Sequence, residues 1–315
     1  MKNRITTGAA LIVLLLLMTS CGGGSSANNS SSTSTTSQPS ATGSVNTWIG
    51  PPADTTKLPI GTQYVSSQKV ERNGLYICES GPSRGGRALP AGPWANEAAG
   101  TWDLSKKLAV NGSVSWPMAT YEETISGNTR VIKSNGLPVG QVTGVFPIAA
   151  NDPAYAYDRN PNRIAANTIS VSLPVNPVIA DKPSCVGKGS IGILKNGVSL
   201  FAPIDELNRD AVVYETQDKC NGHPQQTSLY HYHDIPSCIR DASVGSSTVV
   251  GFAADGFPIV VERDADGNLP TNKDLDECHG RVSLITLDGK PVEMYHYSAT
   301  YEFPYFIGCF KGTPR

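Results

Sequence analysis

Short runs of β-branched and aromatic residues, each closed by a turn signal, constrain the fold of this chain most strongly. Asn-Gly, Asp-Gly and Ser-Gly pairs supply the positive φ angles that tight turns need. They recur at 73–74, 111–112, 126–127, 135–136, 196–197, 255–256 and 288–289. Glycine and proline together (31 and 23 of 315 residues) also disfavour a helical bundle. The pattern predicts many short strands joined by turns.

The sequence therefore predicts an all-β fold, an antiparallel sandwich or a barrel-like sheet, with long loops and a few short helices. No run with helical period exceeds two turns, so helices are expected only at 203–208 and 274–278. The predicted strands are 74–78, 129–132, 168–173, 191–194, 211–214, 247–252, 258–261, 282–287 and 293–298.

The amino terminus has the pattern of a processed export signal. Lys2 and Arg4 precede an apolar run over 9–18, which is about half of the ~20 residues that span a bilayer. Small residues then lead to Cys21, as in a bacterial lipobox. We expect residues 1–20 to be a signal peptide and Cys21 to be lipidated. With Gly22 next, the lipoprotein is expected at the outer membrane, on its periplasmic or cell-surface face.

Residues 21–46 are rich in Ser, Thr and Gly and carry no charge, so they are expected to form a disordered tether. We expect an N-terminal β region over 47–129, packed on a main domain over 130–315. Charge is nearly balanced, with 25 basic and 27 acidic residues. That balance argues against a nucleic-acid partner, and the expected membrane contact is the lipid anchor. A substrate or protein partner is not specified.

The chain has five histidines, all between 223 and 296, and Tyr230-His231-Tyr232-His233 is the densest group. Side chains alternate along a strand, so His231 and His233 share a face. At a separation of about 6.6–6.8 Å along the strand, two imidazoles can converge on one metal ion. Neutral imidazole suits copper or zinc. Packing of aromatic and histidine side chains in a sheet is the alternative interpretation.

A second copy of this region appears downstream. Asp-x-Cys-x-Gly, at 218–222 and again at 276–280, precedes Tyr-His-Tyr at 230–232 and at 295–297. A further cysteine, Cys238 or Cys309, closes each copy. Two related hairpins that paired face to face would bring His296 to His231 and His233. His223 could supply a fourth ligand, whereas His279 is expected to be structural.

Four acidic residues near the histidines could orient the imidazole rings by hydrogen bonds to ring nitrogen atoms: Asp210, Glu215, Asp218 and Asp234. The six cysteines after Cys21 are expected to form disulfides in an exported chain. Spacing alone leaves 15 pairings open. The repeated block suggests Cys220–Cys238 and Cys278–Cys309, and these leave Cys78–Cys185.

These motifs resemble those of the YHYH-domain family, named for the residues that stand here at 230–233. Further matching segments lie at 208–211, 218–224, 251–258, 275–281 and 303–312, so the resemblance covers about 130–312. Ser298 stands where some relatives carry a second histidine. The resemblance implies an exported protein, in many members a lipoprotein, and implies no mechanism.

The leading functional hypothesis is a membrane-tethered exported domain that binds Cu or Zn through its histidine cluster. A second hypothesis is a disulfide-stapled interaction or adhesion module without metal, with tyrosines as its contact surface. A third is a metal-dependent hydrolase, in which a lowered pKa activates water. The sequence does not assign a reaction, so whether the chain is an enzyme stays open at this point.

Overall fold

The computed structural model describes residues 45–79, 81 and 89–315. The predicted signal peptide, the lipidation site at Cys21 and nearly all of the predicted tether lie outside the described residues. Asn46, at the end of that tether, is buried, and its amide donates to the carbonyls of Ser246 and Arg263. In the part that is described, no helix is long and apolar enough to cross a membrane.

In the described part of the chain, ten short strands precede the main sheet and form four small sheets. Their order is β1-β5-β4, β10-β8-β7, β2-β3 and β6-β9. The strands are β1 (Leu58–Pro59), β2 (Val65–Ser66), β3 (Leu75–Tyr76), β4 (Ala95–Asn96), β5 (Thr101–Trp102), β6 (Val114–Ser115), β7 (Tyr121–Ser126), β8 (Thr129–Ser134), β9 (Val142–Thr143) and β10 (Ile169–Pro174).

Eight strands form the main sheet, in the order β13-β14-β12-β11-β15-β16-β18-β17. They are β11 (Ser190–Leu194), β12 (Ser199–Phe201), β13 (Gly222–Pro224), β14 (Tyr230–Tyr232), β15 (Ser247–Ala253), β16 (Pro258–Glu262), β17 (Gly280–Leu287) and β18 (Lys290–Ser298). Two four-residue helices, α1 (Ala211–Tyr214) and α2 (Ser237–Arg240), lie in its connections. The all-β prediction with few helices is confirmed.

The main sheet consists of two similar halves joined by the antiparallel pair β11–β15. In each half an antiparallel hairpin, β13–β14 or β17–β18, forms the outer edge. The inner strand of each hairpin then pairs in parallel, β14 with β12 and β18 with β16. The sheet is therefore mixed rather than purely antiparallel. The two Tyr-His-Tyr segments stand at equivalent positions of a structural repeat.

Both faces of the main sheet are covered. On one face, Ile132 of β8 and Leu173 of β10 pack against Ile193 and Phe252. The larger core joins the N-terminal region to the sheet through Trp94, Trp102 and other buried apolar residues. Burial of a large apolar side chain stabilises a fold by about 1.5–3 kcal/mol. The described residues accordingly form one compact unit with a layered, sandwich-like build.

Three disulfides link the described chain, Cys78–Cys185, Cys220–Cys238 and Cys278–Cys309. The last two each close one copy of the repeat, as the repeated sequence block suggests. Cys78–Cys185 ties the N-terminal region to the loop before β11. Each such bridge typically stabilises a fold by about 2–4 kcal/mol.

Most predicted strands are present with shifted ends, but 211–214 is a helical turn. Main-chain NH groups of Val213 and Tyr214 donate to the Asp210 carbonyl, and all four side chains of the turn are buried. Burial here outweighs the strand preference of the two valines.

The two predicted helices are wrong as well. At 203–208 the Asp205 carboxylate accepts from the NH groups of Leu207 and Arg209, which favours a turn over a helix. At 274–278 only the end of a 3₁₀ turn, Asn272–Asp274, is present. Asp276 then accepts from the NH groups of Cys278 and Gly280.

Gly222 and Gly280 occupy equivalent positions in the two edge hairpins, and their substitution tests this architecture. A Cβ at Gly222 would overlap the Tyr230 ring, and a Cβ at Gly280 would overlap the Tyr295 ring. Neither ring can move freely, because Asp218 and Asp276 accept hydrogen bonds from the two hydroxyls. We expect Gly222→Ala and Gly280→Ala each to lower the free energy of unfolding by about 1–3 kcal/mol, measured by urea denaturation.

Gly187→Ala is the matched control, since nothing lies within 4 Å of a Cβ at that position. It should change stability by less than about 0.5 kcal/mol. Equal stability of all three variants would contradict this packing.

Candidate metal centre

The edge hairpin β13–β14 brings three histidines together. In its register His223 lies directly opposite His231, so the two side chains are cross-strand neighbours. His233 follows two residues after His231 and points to the same side, with the Nε2 atoms of the two rings 3.1 Å apart. The expected convergence of the His-x-His pair is therefore present.

Main-chain carbonyls fix the orientation of two of these rings. The Nδ1 atom of His233 lies 2.6 Å from the Ala202 carbonyl, and Nδ1 of His231 lies 3.3 Å from the Leu229 carbonyl. A carbonyl can only accept a hydrogen bond, so both contacts are satisfied by the neutral tautomer that carries its proton on Nδ1. The Nε2 atom of each ring then carries a lone pair.

Two lone pairs that face each other at 3.1 Å repel unless a cation lies between them. Two ligands bound at about 2.0–2.1 Å to one metal ion are roughly 2.9–3.4 Å apart, depending on geometry. The observed separation falls in that range. Ligand atoms of His223, His231 and His233 all lie within 4.8 Å of one another. The chemistry and spacing of this donor set fit a transition-metal ion.

Burial keeps the three imidazoles in the neutral form that binds metal. It lowers the pKa of His233 to about 4. Burial, together with the positive charge that neighbouring histidines would carry if protonated, holds the pKa values of His223 and His231 well below the usual range. All three rings are therefore uncharged near pH 7, where each can donate a nitrogen lone pair.

The cluster is reached through a cleft of about 560 Å³. Phe201 packs against His231 with 4.1 Å between ring centroids and an angle of 28°. The rest of the lining is mostly polar and includes Asn160, Asn162, Gln225, Glu206, Lys188 and Arg159. A small molecule or ion can therefore approach the three histidines from one side.

Of the four acidic residues expected near the histidines, Glu215 alone contacts the cluster. Its Oε2 atom lies 3.3 Å from Nε2 of His233 and 3.6 Å from Nε2 of His223. Burial raises the pKa of this carboxyl well above its usual value, and the negative charges of Asp205 and Asp158 raise it further. A cation in the cluster would oppose that shift.

The other three carboxylates have structural partners. Asp210 accepts from the Tyr305 hydroxyl and the Gly61 NH. Asp218 accepts from Tyr230 and from main-chain NH groups of the hairpin loop, and Asp234 accepts from the Asn221 amide. The groups that orient the imidazoles are instead the carbonyls of Ala202 and Leu229. Main-chain carbonyls have no sequence signature, so residue patterns cannot reveal them.

His296 does not join the other histidines. The two hairpins occupy opposite edges of the main sheet rather than pairing face to face. Five inter-strand spacings separate β14 from β18, about 24 Å along the sheet at about 4.8 Å each. The expectation that His296 meets His231 and His233 is therefore corrected by the sheet order.

A buried carboxylate, Glu262, lies beside His296, with its Oε2 atom 3.0 Å from Nε2 of the ring. Ser298 donates a hydrogen bond to the same oxygen at 2.7 Å, and Arg281 lies 3.5 Å from the other. Burial tends to raise the pKa of Glu262, but its contacts with His296 and Arg281 outweigh that effect and lower it.

His279 has a structural setting, as expected. It occupies a tight turn with φ of 71°, and its Nε2 atom lies 3.1 Å from the Thr300 hydroxyl. Burial lowers its pKa to about 3.

Comparison with known proteins identifies one family. Residues 170–269 match the model of the family described as YHYH protein. The match covers about a third of the chain and contains all three clustered histidines and Glu215. It ends before His296. No curated protein and no solved structure matches the chain.

The lowered pKa values predict how the metal-free protein responds to acid. An unfolded histidine takes up a proton near pH 6.5, whereas His233 and His279 do so only near pH 4 and pH 3 when folded. The unfolded state therefore binds protons first as pH falls. The contribution of these histidines to the free energy of unfolding is therefore fully present above about pH 6.5. It is lost as pH falls toward the pKa values of the folded state. In chelator, we expect each such histidine to reduce the free energy of unfolding by about 1–2 kcal/mol between pH 7.5 and 5.

Urea denaturation at the two pH values measures this loss. His279→Gln should reduce the pH dependence by one histidine's share, because it removes one buried titrating ring. The imidazole Cε1–H resonances of His223, His231, His233 and His279 should keep neutral-ring positions down to pH 5 in the folded protein. Titration of these four rings between pH 6 and 7 would contradict the assignment.

Proposed function

We propose that the YHYH domain of this chain binds a divalent transition metal, Zn²⁺ or Cu²⁺, through His223, His231 and His233. The observation that carries the proposal is the 3.1 Å approach of two Nε2 atoms whose rings both donate from Nδ1 to main-chain carbonyls. A carbonyl partner on the second ring nitrogen is the usual way in which proteins orient a metal-binding histidine.

Three features of the surroundings support this function. The rings are neutral near pH 7, which spares a bound ion from competition with protons. The edge hairpin holds them in place through a disulfide and the Tyr230–Asp218 hydrogen bond. The cleft gives an ion or small molecule access to the cluster. Neutral nitrogen ligands leave the full charge on the metal, which favours binding of water or an anion.

The cleft also supports the hydrolase hypothesis, because a metal that activates water needs an adjacent space for a substrate. The three disulfides fit equally well an interaction module that binds no metal. In that module, however, Tyr230 and Tyr232 could not form the contact surface, because both are fully buried. We therefore place metal binding first and metal-dependent hydrolysis second.

We further propose that the protein is exported and lipid-anchored at Cys21, at the outer membrane. Three disulfides suit an oxidising compartment outside the cytoplasm. The basic start, the apolar run over 9–18 and the small residues before Cys21 support the anchor.

Calorimetric titration of the metal-free protein tests the metal site. At pH 7.5 we expect one equivalent of Zn²⁺ or Cu²⁺ to bind with a dissociation constant below about 1 μM, roughly −8 kcal/mol. His223→Ala, His231→Ala and His233→Ala should each weaken binding at least tenfold, which is about 1.4 kcal/mol or more. Each substitution removes one nitrogen ligand.

His279→Gln and His296→Gln are the matched controls, since both rings are buried outside the cluster. They should bind metal as the unmodified protein does. If neither metal binds at micromolar concentration, or if all five variants behave alike, the site is not a metal centre.

Cell fractionation tests the anchor. Cys21→Ser removes the thiol that would be lipidated, so the variant should leave the membrane fraction and appear in the soluble exported fraction. The double variant Cys78→Ser and Cys185→Ser removes two other cysteines, which form a disulfide, and leaves the lipobox intact, so it should stay with the membranes. Membrane retention of the Cys21→Ser protein would refute lipidation.

A further inference from the structure

One carboxylate oxygen at the histidine cluster has no hydrogen-bond donor. The Oε2 atom of Glu215 is buried and makes no hydrogen bond with any described residue, although it lies against two of the three rings. We propose that Glu215 is a fourth ligand, so that the bound metal is held by three imidazoles and one carboxylate. The proposal rests on the metal function proposed above and names the ligand that completes it.

The spacing of the atoms suits a shared ion. Ligands at about 2.0–2.2 Å from one metal are roughly 2.9–3.5 Å apart. The contact of Glu215 with His233, at 3.3 Å, lies in that range. The contact with His223 is 3.6 Å long, and no Glu215 oxygen lies within 4.8 Å of ligand atoms of all three histidines at once. Rotation of the glutamate side chain about its own bonds would therefore bring its oxygen onto the shared ion.

Electrostatics point the same way. Because Nδ1 of His233 donates to the Ala202 carbonyl, its Nε2 atom presents a lone pair to the carboxylate oxygen. In the ionised form of Glu215 neither atom carries a proton, so the contact is then repulsive unless a cation lies between the two atoms. Lys107 is close, but its Nζ atom donates to the main-chain carbonyls of Val212 and Glu215. A buried carboxylate without a paired charge is costly, and a metal ion supplies that charge.

Glu262, in the second half of the repeat, is a buried carboxylate whose charge is compensated by protein side chains. Glu262, at the end of β16, is buried beside the histidine of the second hairpin and is surrounded by Ser298, Arg281 and His296. Hairpin register places Arg281 opposite His296, as His223 stands opposite His231. A guanidinium therefore occupies the position of His223, and Ser298 occupies that of His233. In the first half, imidazoles replace both the arginine and the serine. Glu215 therefore has no guanidinium of a described residue beside it.

A carboxylate ligand would also restrict the choice of metal. Oxygen ligands favour divalent ions, and a set without sulfur disfavours Cu⁺. One negative charge in the ligand set leaves a divalent centre with a net charge of +1. The site is then suited to Zn²⁺, Co²⁺ or Cu²⁺ rather than to capture of reduced copper.

Metal titration of a matched pair of variants tests the assignment. Glu215→Gln keeps the shape of the side chain and removes its charge, so we expect Zn²⁺ and Co²⁺ to bind at least tenfold more weakly. Glu122→Gln is the control, because Glu122 is exposed on β7 and does not line the cleft. It should bind both metals as the unmodified protein does. The visible spectrum of the Co²⁺ complex should change in Glu215→Gln alone.

A crystal structure of the Zn²⁺-loaded unmodified protein provides a second measurement that does not depend on the folding of a variant. A Glu215 oxygen about 2.0–2.2 Å from the ion supports the proposal. An oxygen beyond about 3 Å overturns it, as does Glu215→Gln protein with unchanged affinity and spectrum. If the unmodified protein binds neither metal, the metal function itself fails, which is a distinct result.

Discussion

The Tyr-His-Tyr strand β14 lies in an edge hairpin with its side chains buried. Each buried polar atom of these side chains therefore requires a hydrogen-bond or charge partner. On one face of β14 the two tyrosine hydroxyls bond to Asp218 and Asn196. On the other face His231 and His233 are buried except for 4 % of each residue's surface, and they line the cleft. Their Nδ1 atoms find main-chain carbonyls, which leaves the Nε2 atoms without donors. The hairpin loop, its disulfide and the parallel pairing with β12 are all arranged around these contacts.

The same strand motif meets this requirement in two ways within one sheet. In the second half Tyr295 and Tyr297 bond to Asp276 and Asp255, so the tyrosine face is repeated almost unchanged. The histidine face differs, because Glu262 makes contacts with His296, Ser298 and Arg281 inside the protein. The first half has imidazoles where the second has serine and arginine. The tyrosine contacts that stabilise the fold are therefore common to both halves, whereas the contacts of the histidine face differ between them.

The sequence was sufficient for the parts of the structure that depend on local chemistry. Turn dipeptides and alternating runs predict the long strands β15 to β18, and the repeated Asp-x-Cys-x-Gly block predicts both edge hairpins. What it could not supply was the order of strands in the sheet. Sequence similarity between the two Tyr-His-Tyr segments suggests that they meet, whereas sheet order places them at opposite edges. The role of His296 was misjudged for that reason.

The contact of Glu215 with the histidines likewise could not be predicted from the sequence. Glu215 follows α1, which the valines at 212 and 213 predict as a strand. A strand would direct alternate side chains to opposite faces, and no pattern in the sequence then aims Glu215 at the histidines. Burial of all four residues of α1 instead forms a helical turn, and Lys107 holds the carbonyls at its end. That turn brings the carboxylate to His223 of β13 and to His233, which directly follows β14. The ligand set of the proposed centre therefore depends on how the core packs, and the same packing leaves the cleft as the route by which an ion or a small molecule reaches it.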